Sequence, residues 1–172
     1  MRTARGLVEQ GGWTNCTLNK AAAGTGVAVG SVYTHFGKIT DLYVEVFNDI
    51  AKEEIAVIAA IAEGEGTEEH RFSSAVDTFA RRALQGPIKA YAVIAEPVAA
   101  EVDEVRQKTH ALFIDEFERI IAGGLQNGAF RPEKARISAA CVLGLLVDAL
   151  VFQWFPKRPC RPTAVCSFDR KS

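Results

Sequence analysis

The sequence predicts an all-α protein, and three observations carry that expectation. Apolar residues recur at three- and four-residue spacings along the whole chain. No alternating Val/Thr/Tyr run bounded by Asn-Gly or Asp-Gly turns marks a strand. Glycine and proline punctuation then cuts the chain into helical segments.

The elements follow in order. Met1 to Gln10 reads as a short first helix ended by Gly11-Gly12. Thr17 is placed to N-cap a second, running to Thr25, and Gly26 turns the chain into a third that ends at Phe36. Thr40 is the expected N-cap of a long fourth helix, with Asp41 complementing the dipole of its first turn. Leu42, Val46, Ile50, Val57, Ile58 and Ile61 carry it to the breaker Glu63-Gly64-Glu65-Gly66. A fifth helix spans Thr67 to Gln85 with Phe72, Val76, Phe79 and Ala83 on one stripe, and Gly86-Pro87 ends it. A short sixth runs from Ile88 to Ala95 before Pro97. The seventh, Ala99 to Asn127, is about 40 Å long at 1.5 Å per residue, with Gly128 as its stop. The eighth, Glu133 to Phe155, is almost wholly apolar; past Pro156 periodicity ceases and the chain reads as an irregular tail.

Composition narrows the function. With 48% hydrophobic and 24% charged residues the chain is globular rather than disordered. A formal net charge of −1 means that any nucleic-acid binding must use a local patch. Cys16, Cys141, Cys160 and Cys166 lack metal-ligand spacing and read as reduced thiols of a cytoplasmic protein. No apolar leader follows Met1. The segment Ile137 to Phe155 is long enough to span a bilayer, but Asp148 would cost about 2.5–3.5 kcal/mol near its centre. A helix covered by its own protein or by a second copy is therefore expected, with no membrane. No Gly-x-Ser-x-Gly, His-Glu-x-x-His or cysteine–histidine pairing suggests catalysis, and neither metal nor cofactor is expected. The acidic run Glu96, Glu101, Asp103 and Glu104 reads as a solvated helix start.

The most informative run is Gly26 to Phe36. A short helix with apolar Val29, Val32 and Phe36 has small or polar residues between them, so one edge admits close approach by another surface. With the segment before it, this makes a helix-turn-helix candidate. The stretch from Leu7 to Phe47 resembles the DNA-binding domain of TetR-type transcriptional regulators. It carries Gly12-Trp13, the helix-opening Thr17, Ala22-Ala23-Gly24-Thr25-Gly26-Val27, then Tyr33-Thr34-His35-Phe36 and, six residues on, Leu42. The resemblance implies a three-helix head over residues 1–47, a helical ligand-binding and dimerisation body over 48–156, and a tail over 157–172. It implies that Thr17 bonds a phosphate of a double-stranded DNA operator. Ala28, Val29, Gly30 and Ser31 then lie nearest the bases, and Tyr33, Thr34 and His35 reach the backbone. Ile39 stands where the family usually has lysine, which leaves Lys38 as the nearby cation. Over Met1 to Phe47, Arg2, Arg5, Lys20 and Lys38 are nearly balanced by Glu9, Asp41 and Glu45, which predicts weak DNA affinity.

In the body, His110, Phe113, Phe117 and Ile121 share one face of the seventh helix. Phe72, Phe79, Tyr91 and Ile94 could close a cavity around them for a small hydrophobic or aromatic ligand. The resemblance implies that such a ligand releases a repressor from a palindromic operator, and that the protein is a homodimer joined through helix 137–155. The alternative is a helical small-molecule-binding protein whose vestigial head binds no DNA; an all-α enzyme is a third and weaker reading.

Overall fold

The computed structural model describes residues 1–26, 28–131 and 134–154, the side chains of Val32, Tyr33 and Trp154 excepted; the expected tail and Phe155 lie outside this range. Among the described residues there are eight helices and no strand. The first four are α1 (Arg2–Asn15), α2 (Leu18–Ala23), α3 (Val29–Phe36) and α4 (Ile39–Ala62). After them come α5 (Glu68–Gln85), α6 (Pro87–Ile94), α7 (Ala100–Gln126) and α8 (Ala135–Trp154).

The glycine pair interrupts α1 as its composition requires. Gly11 sits at φ −158° and Gly12 at φ +71°, ψ −170°, after which a last turn runs to Asn15. The second of these is backbone that only glycine adopts without strain. That turn places Trp13 at the centre of the head core, stacked on Phe47 at 6.3 Å and tilted against Tyr43 at 5.1 Å. The Tyr43 hydroxyl lies 2.9 Å from the Trp13 carbonyl, which already accepts the Cys16 N–H, and 2.8 Å from that of Cys16, so its single proton is shared between acceptors where α1 ends. Ala4, Val8, Leu18, Ala21, Leu42, Val46 and Phe47 complete this core.

One boundary differs from the sequence reading. The fourth helix begins at Ile39 with Lys38, not Thr40, at its N-cap. The Asp41 carboxylate reaches back to accept the Lys38 N–H at 3.1 Å. That bond satisfies an orphan donor one turn earlier than a Thr40 cap would. Thr67, read as the first residue of the fifth helix, is its N-cap and accepts the His70 N–H at 3.3 Å.

α4 is a single rod of about 36 Å that enters two cores. Its first half contributes Leu42, Val46, Phe47 and Ile50 to the head; Ile58 and Ala62 join Phe113, Phe117, Ile120, Ile121, Ala139 and Leu143 in the body. α7 packs along α4 on one side and α8 on another, with α5 against all three. α6 packs on α1, α5 and α8. Its Ala92 and the Val102 of α7 belong to the head core, so head and body share hydrophobic contacts rather than a linker. α8 gives Ala139, Leu143 and Leu150 to the interior but leaves Ile137 (58% exposed), Leu145 (72%) and Phe152 (84%) uncovered. The segment Ala135–Gln153 is long and apolar enough to cross a membrane by length and composition alone. Its own chain covers one side of it.

Candidate functional site

The surface expected to read DNA is built by α2 and α3. Thr17 is exposed at the start of α2, its Oγ1 accepting the Lys20 N–H at 3.3 Å. Gly26, at φ +69°, turns the chain towards α3. Ala28, Val29, Gly30, Ser31, Thr34, His35 and Lys38 are all exposed, whereas Phe36 at the end of α3 packs against the head core. The Tyr33 side chain lies outside the described residues. A Cβ added at Gly30 would meet nothing within 4 Å, so this edge of α3 is open to a partner. The Thr34 hydroxyl donates to the Gly30 carbonyl at 2.9 Å, and the His35 ring sets its edge against Phe36 at 4.6 Å.

Charge in the head is sparser than the sequence count. Arg5 is fixed by three carboxylates, Glu9 (2.9 Å), Asp49 (3.0 Å) and Glu53 (2.5 Å), and does not face outward as a free cation. Lys20 Nζ donates to Asn15 Oδ1 at 2.5 Å. Arg2 and Lys38 are exposed on the same head.

The second feature is a mainly apolar cavity of about 70 Å³ between α4, α5, α6, α7 and α8. Of the residues expected around a ligand, Phe79, Ile94, His110 and Phe113 line it. Phe79 and Phe113 meet edge to face at 5.3 Å. Phe117 is wholly buried in the body core, Tyr91 is not in the cavity wall, and Phe72 and Ile121 border a separate groove beside Phe130. Phe72 packs on Phe117 and Phe130 there.

Sequence periodicity missed the polar wall of the cavity. Arg82 grips the Glu54 carboxylate through Nε (2.6 Å) and Nη2 (3.1 Å), and Lys89 Nζ donates to the same group at 2.7 Å. Burial pushes the Glu54 carboxyl up, but the bonds from Arg82 and Lys89 outweigh it and hold the group below the ordinary range. At the other end, Arg106 donates to the carbonyls of Val93 (2.9 Å), Ala92 (3.3 Å) and Glu96 (2.8 Å). It also pairs with Asp103, while its burial lowers its pKa. Burial, then the Arg106 charge, lowers the pKa of the neighbouring His110 and so favours its neutral form.

α6 joins the two features. Lys89, Ala90, Val93 and Ile94 face the cavity, while the Ala92 carbonyl accepts Trp13 Nε1–H from the head at 2.8 Å. The same carbonyl accepts from Arg106, so its two lone pairs serve head and cavity wall together. One residue of the acidic run departs from its expected role. Glu96 is not a solvated helix-start residue: it is buried, and its Oε2 accepts the Trp13 N–H at 3.0 Å. Glu101 and Glu104 are exposed in or near the first turn of α7, as read.

No family model matches the chain. It is 28% identical over 155 residues to YhgD of Bacillus subtilis, an uncharacterised helix-turn-helix transcriptional regulator; the match covers 87% of this chain and 79% of that one. A TetR/AcrR-family regulator from Thermobifida fusca superposes with a TM-score of 0.71 at 19% identity, over 90% of this chain and 82% of that one. The fold is that of the TetR-type regulators. FadR of Bacillus subtilis, solved in complex with stearoyl-CoA, also shares it, with a TM-score of 0.74 at 15% identity over 88% and 83% of the two chains. Within the TetR-type frame α2 and α3 are the helix-turn-helix, and the cavity lies in the helical body behind it. The proteins that the chain resembles are transcriptional regulators, not enzymes.

Proposed function

We propose that this protein is a ligand-responsive transcriptional repressor that binds a palindromic operator as a homodimer and is released by a small hydrophobic ligand. The observation that carries the reading is the double use of α6, whose inner face lines the cavity while its Ala92 carbonyl holds Trp13 of the head. A cavity of about 70 Å³ is well below the roughly 300–1,000 Å³ of ordinary ligand pockets. Seating a ligand therefore requires α4, α6 and α7 to move apart, and α6 carries the head's anchor with it. That FadR, which shares this fold, was solved in complex with stearoyl-CoA supports a ligand with a long apolar part.

On the DNA side, α3 enters the major groove with Ala28, Val29, Gly30 and Ser31 against the bases. Thr17, Thr34, His35 and Lys38 lie on the phosphates. Apolar contact from Val29 suits thymine methyls. The homodimer forms through α8, whose exposed face a second copy covers. The second reading, a ligand-binding protein whose head does not engage DNA, draws on the carboxylate cage around Arg5, which leaves the head weakly basic.

Anisotropy titration with labelled upstream DNA at several salt concentrations separates the two. A repressor binds in the presence of excess nonspecific competitor and weakens steeply with salt, since each neutralised phosphate releases counterions. Gly30→Ala retains its fold and loses about tenfold or more in operator affinity, because the added methyl stands between α3 and the base edges. Absence of binding at low salt favours the second reading.

A further inference from the structure

The charges around the cavity are unequal and unevenly placed. Its wall contains three cationic side chains, Arg82, Lys89 and Arg106, against one carboxylate, Glu54. Arg106 gives four of its five donors to three carbonyls and Asp103, and Arg82 is shared between Glu54 and Glu53. Lys89 differs from both. Its ammonium has three donors and gives one to Glu54, although its side chain is only 18% exposed. Removing Lys89 from Glu54 does not orphan that carboxylate, because Arg82 still holds both of its oxygens.

Position adds a second argument. A polar groove bounded by Glu9, Glu53, Gln85 and Gly86 shares Arg82 and Lys89 with the apolar cavity. The lysine thus marks the seam between a polar opening and an apolar chamber floored by Phe79 and Phe113. A cationic ligand would meet three positive groups and only carboxylates that are already paired, Glu54 with Arg82 and Lys89 and, in the groove, Glu9 and Glu53 with Arg5. A neutral ligand would offer the two remaining donors of this ammonium an uncharged acceptor at best, whereas an acidic group would offer a charge-assisted one.

We infer that the ligand of this cavity is an anionic amphiphile, its acidic group paired with Lys89 at the seam and its apolar part lying against Phe79, Val93, Ile94 and Phe113. This rests on the reading of the cavity as the ligand site. It adds the ligand's charge and orientation. Because Lys89 stands on α6, the acid pulls on the helix that holds Trp13.

Isothermal titration of the full chain with decanoate, decanol and decylammonium, each below its micellar concentration and without DNA, tests the inference. Decanoate is expected to bind about tenfold or more tighter than decanol, and decylammonium weakest of the three. Lys89→Met brings decanoate to within about threefold of decanol, and Lys89→Arg restores the preference. Circular dichroism verifies that both variants are folded. Equal affinity for acid and alcohol, a preference for the ammonium, or an undiminished preference for acid in Lys89→Met each overturns it. Failure to bind any of the three overturns it together with the ligand-site reading. Since no DNA is present, a head that fails the operator titration leaves this result intact.

Discussion

Gly12 is where a single side chain would do most harm. Its φ of +71° with ψ near 180° belongs to glycine, and a Cβ there would stand 2.4 Å from Glu96 Oε2. That carboxylate accepts the buried Trp13 N–H, so a methyl group cannot be admitted without losing the bond or moving α6. Backbone strain of about 1–3 kcal/mol adds to a buried charged acceptor losing its donor, about 1–3 kcal/mol. Gly12→Ala is expected to lower the urea midpoint by an amount corresponding to roughly 2–6 kcal/mol. A change below about 0.5 kcal/mol would show that Glu96 does not hold the head in solution. The glycine pair itself was legible in the sequence as a helix stop. Its partner was not, because Glu96 lies 83 positions from Trp13 and resembled its exposed neighbours Glu101 and Glu104. Local pattern reports what one segment prefers, whereas burial of a carboxylate depends on which distant backbone N–H reaches it.

At the scale of elements the sequence fared well for the same reason. Helix limits depend on nearby glycine, proline and caps, and Thr17, Gly86 and Gly128 sit where they were expected to act. The cap of α4 moved to Lys38 because a carboxylate three residues on can serve a backbone donor that no small polar side chain precedes. The cavity was half legible. Periodicity found Phe79, Ile94, His110 and Phe113, but could not tell them from Phe117, which faces the core from the same helix. α8 poses the opposite problem, an apolar helix with too little to cover it. Ile137, Cys141, Gly144, Leu145, Asp148 and Phe152 recur at three-, four- and seven-residue intervals on one exposed face. Burying a large apolar side chain of this kind contributes about 1.5–3 kcal/mol, and a two-fold axis would use each one twice. Leu145→Glu touches little in its own chain, being 72% exposed, so the fold should persist. Sedimentation equilibrium should show the unsubstituted protein as a dimer and this variant with its dimer dissociation constant raised about 100-fold or more. A monomeric unsubstituted chain at micromolar concentration would remove α8 as the interface.

For the whole molecule the question is how a filled cavity changes a distant helix-turn-helix. Two connections run between them. One is α4, a continuous rod with Phe47, Ile50 and Glu54 on the cavity and Leu42 and Val46 in the head core. The other is the polar clasp in which Trp13 donates to Ala92 and Glu96 while Arg106 donates to the same two residues' carbonyls. Under the proposed function, a rod alone would transmit displacement of the head, and the clasp would set which way the head turns when α6 moves. Binding free energies are reciprocal, so an operator that is weakened by ligand must weaken the ligand by the same factor. With decanoate as the ligand, affinity measured with and without saturating operator should differ by a factor of about 5–150, the usual range of such coupling. Trp13→Phe keeps an aromatic ring between Tyr43 and Phe47 while deleting the Nε1–H bond to Ala92. The variant should bind operator and decanoate separately with affinities within a few-fold of the parent, and the factor linking them should fall towards one. If the factor is unchanged, the rod carries the coupling and the clasp serves only to hold Trp13 in the core. If both affinities collapse together, the hydrogen bond belongs to the stability of the head rather than to its control.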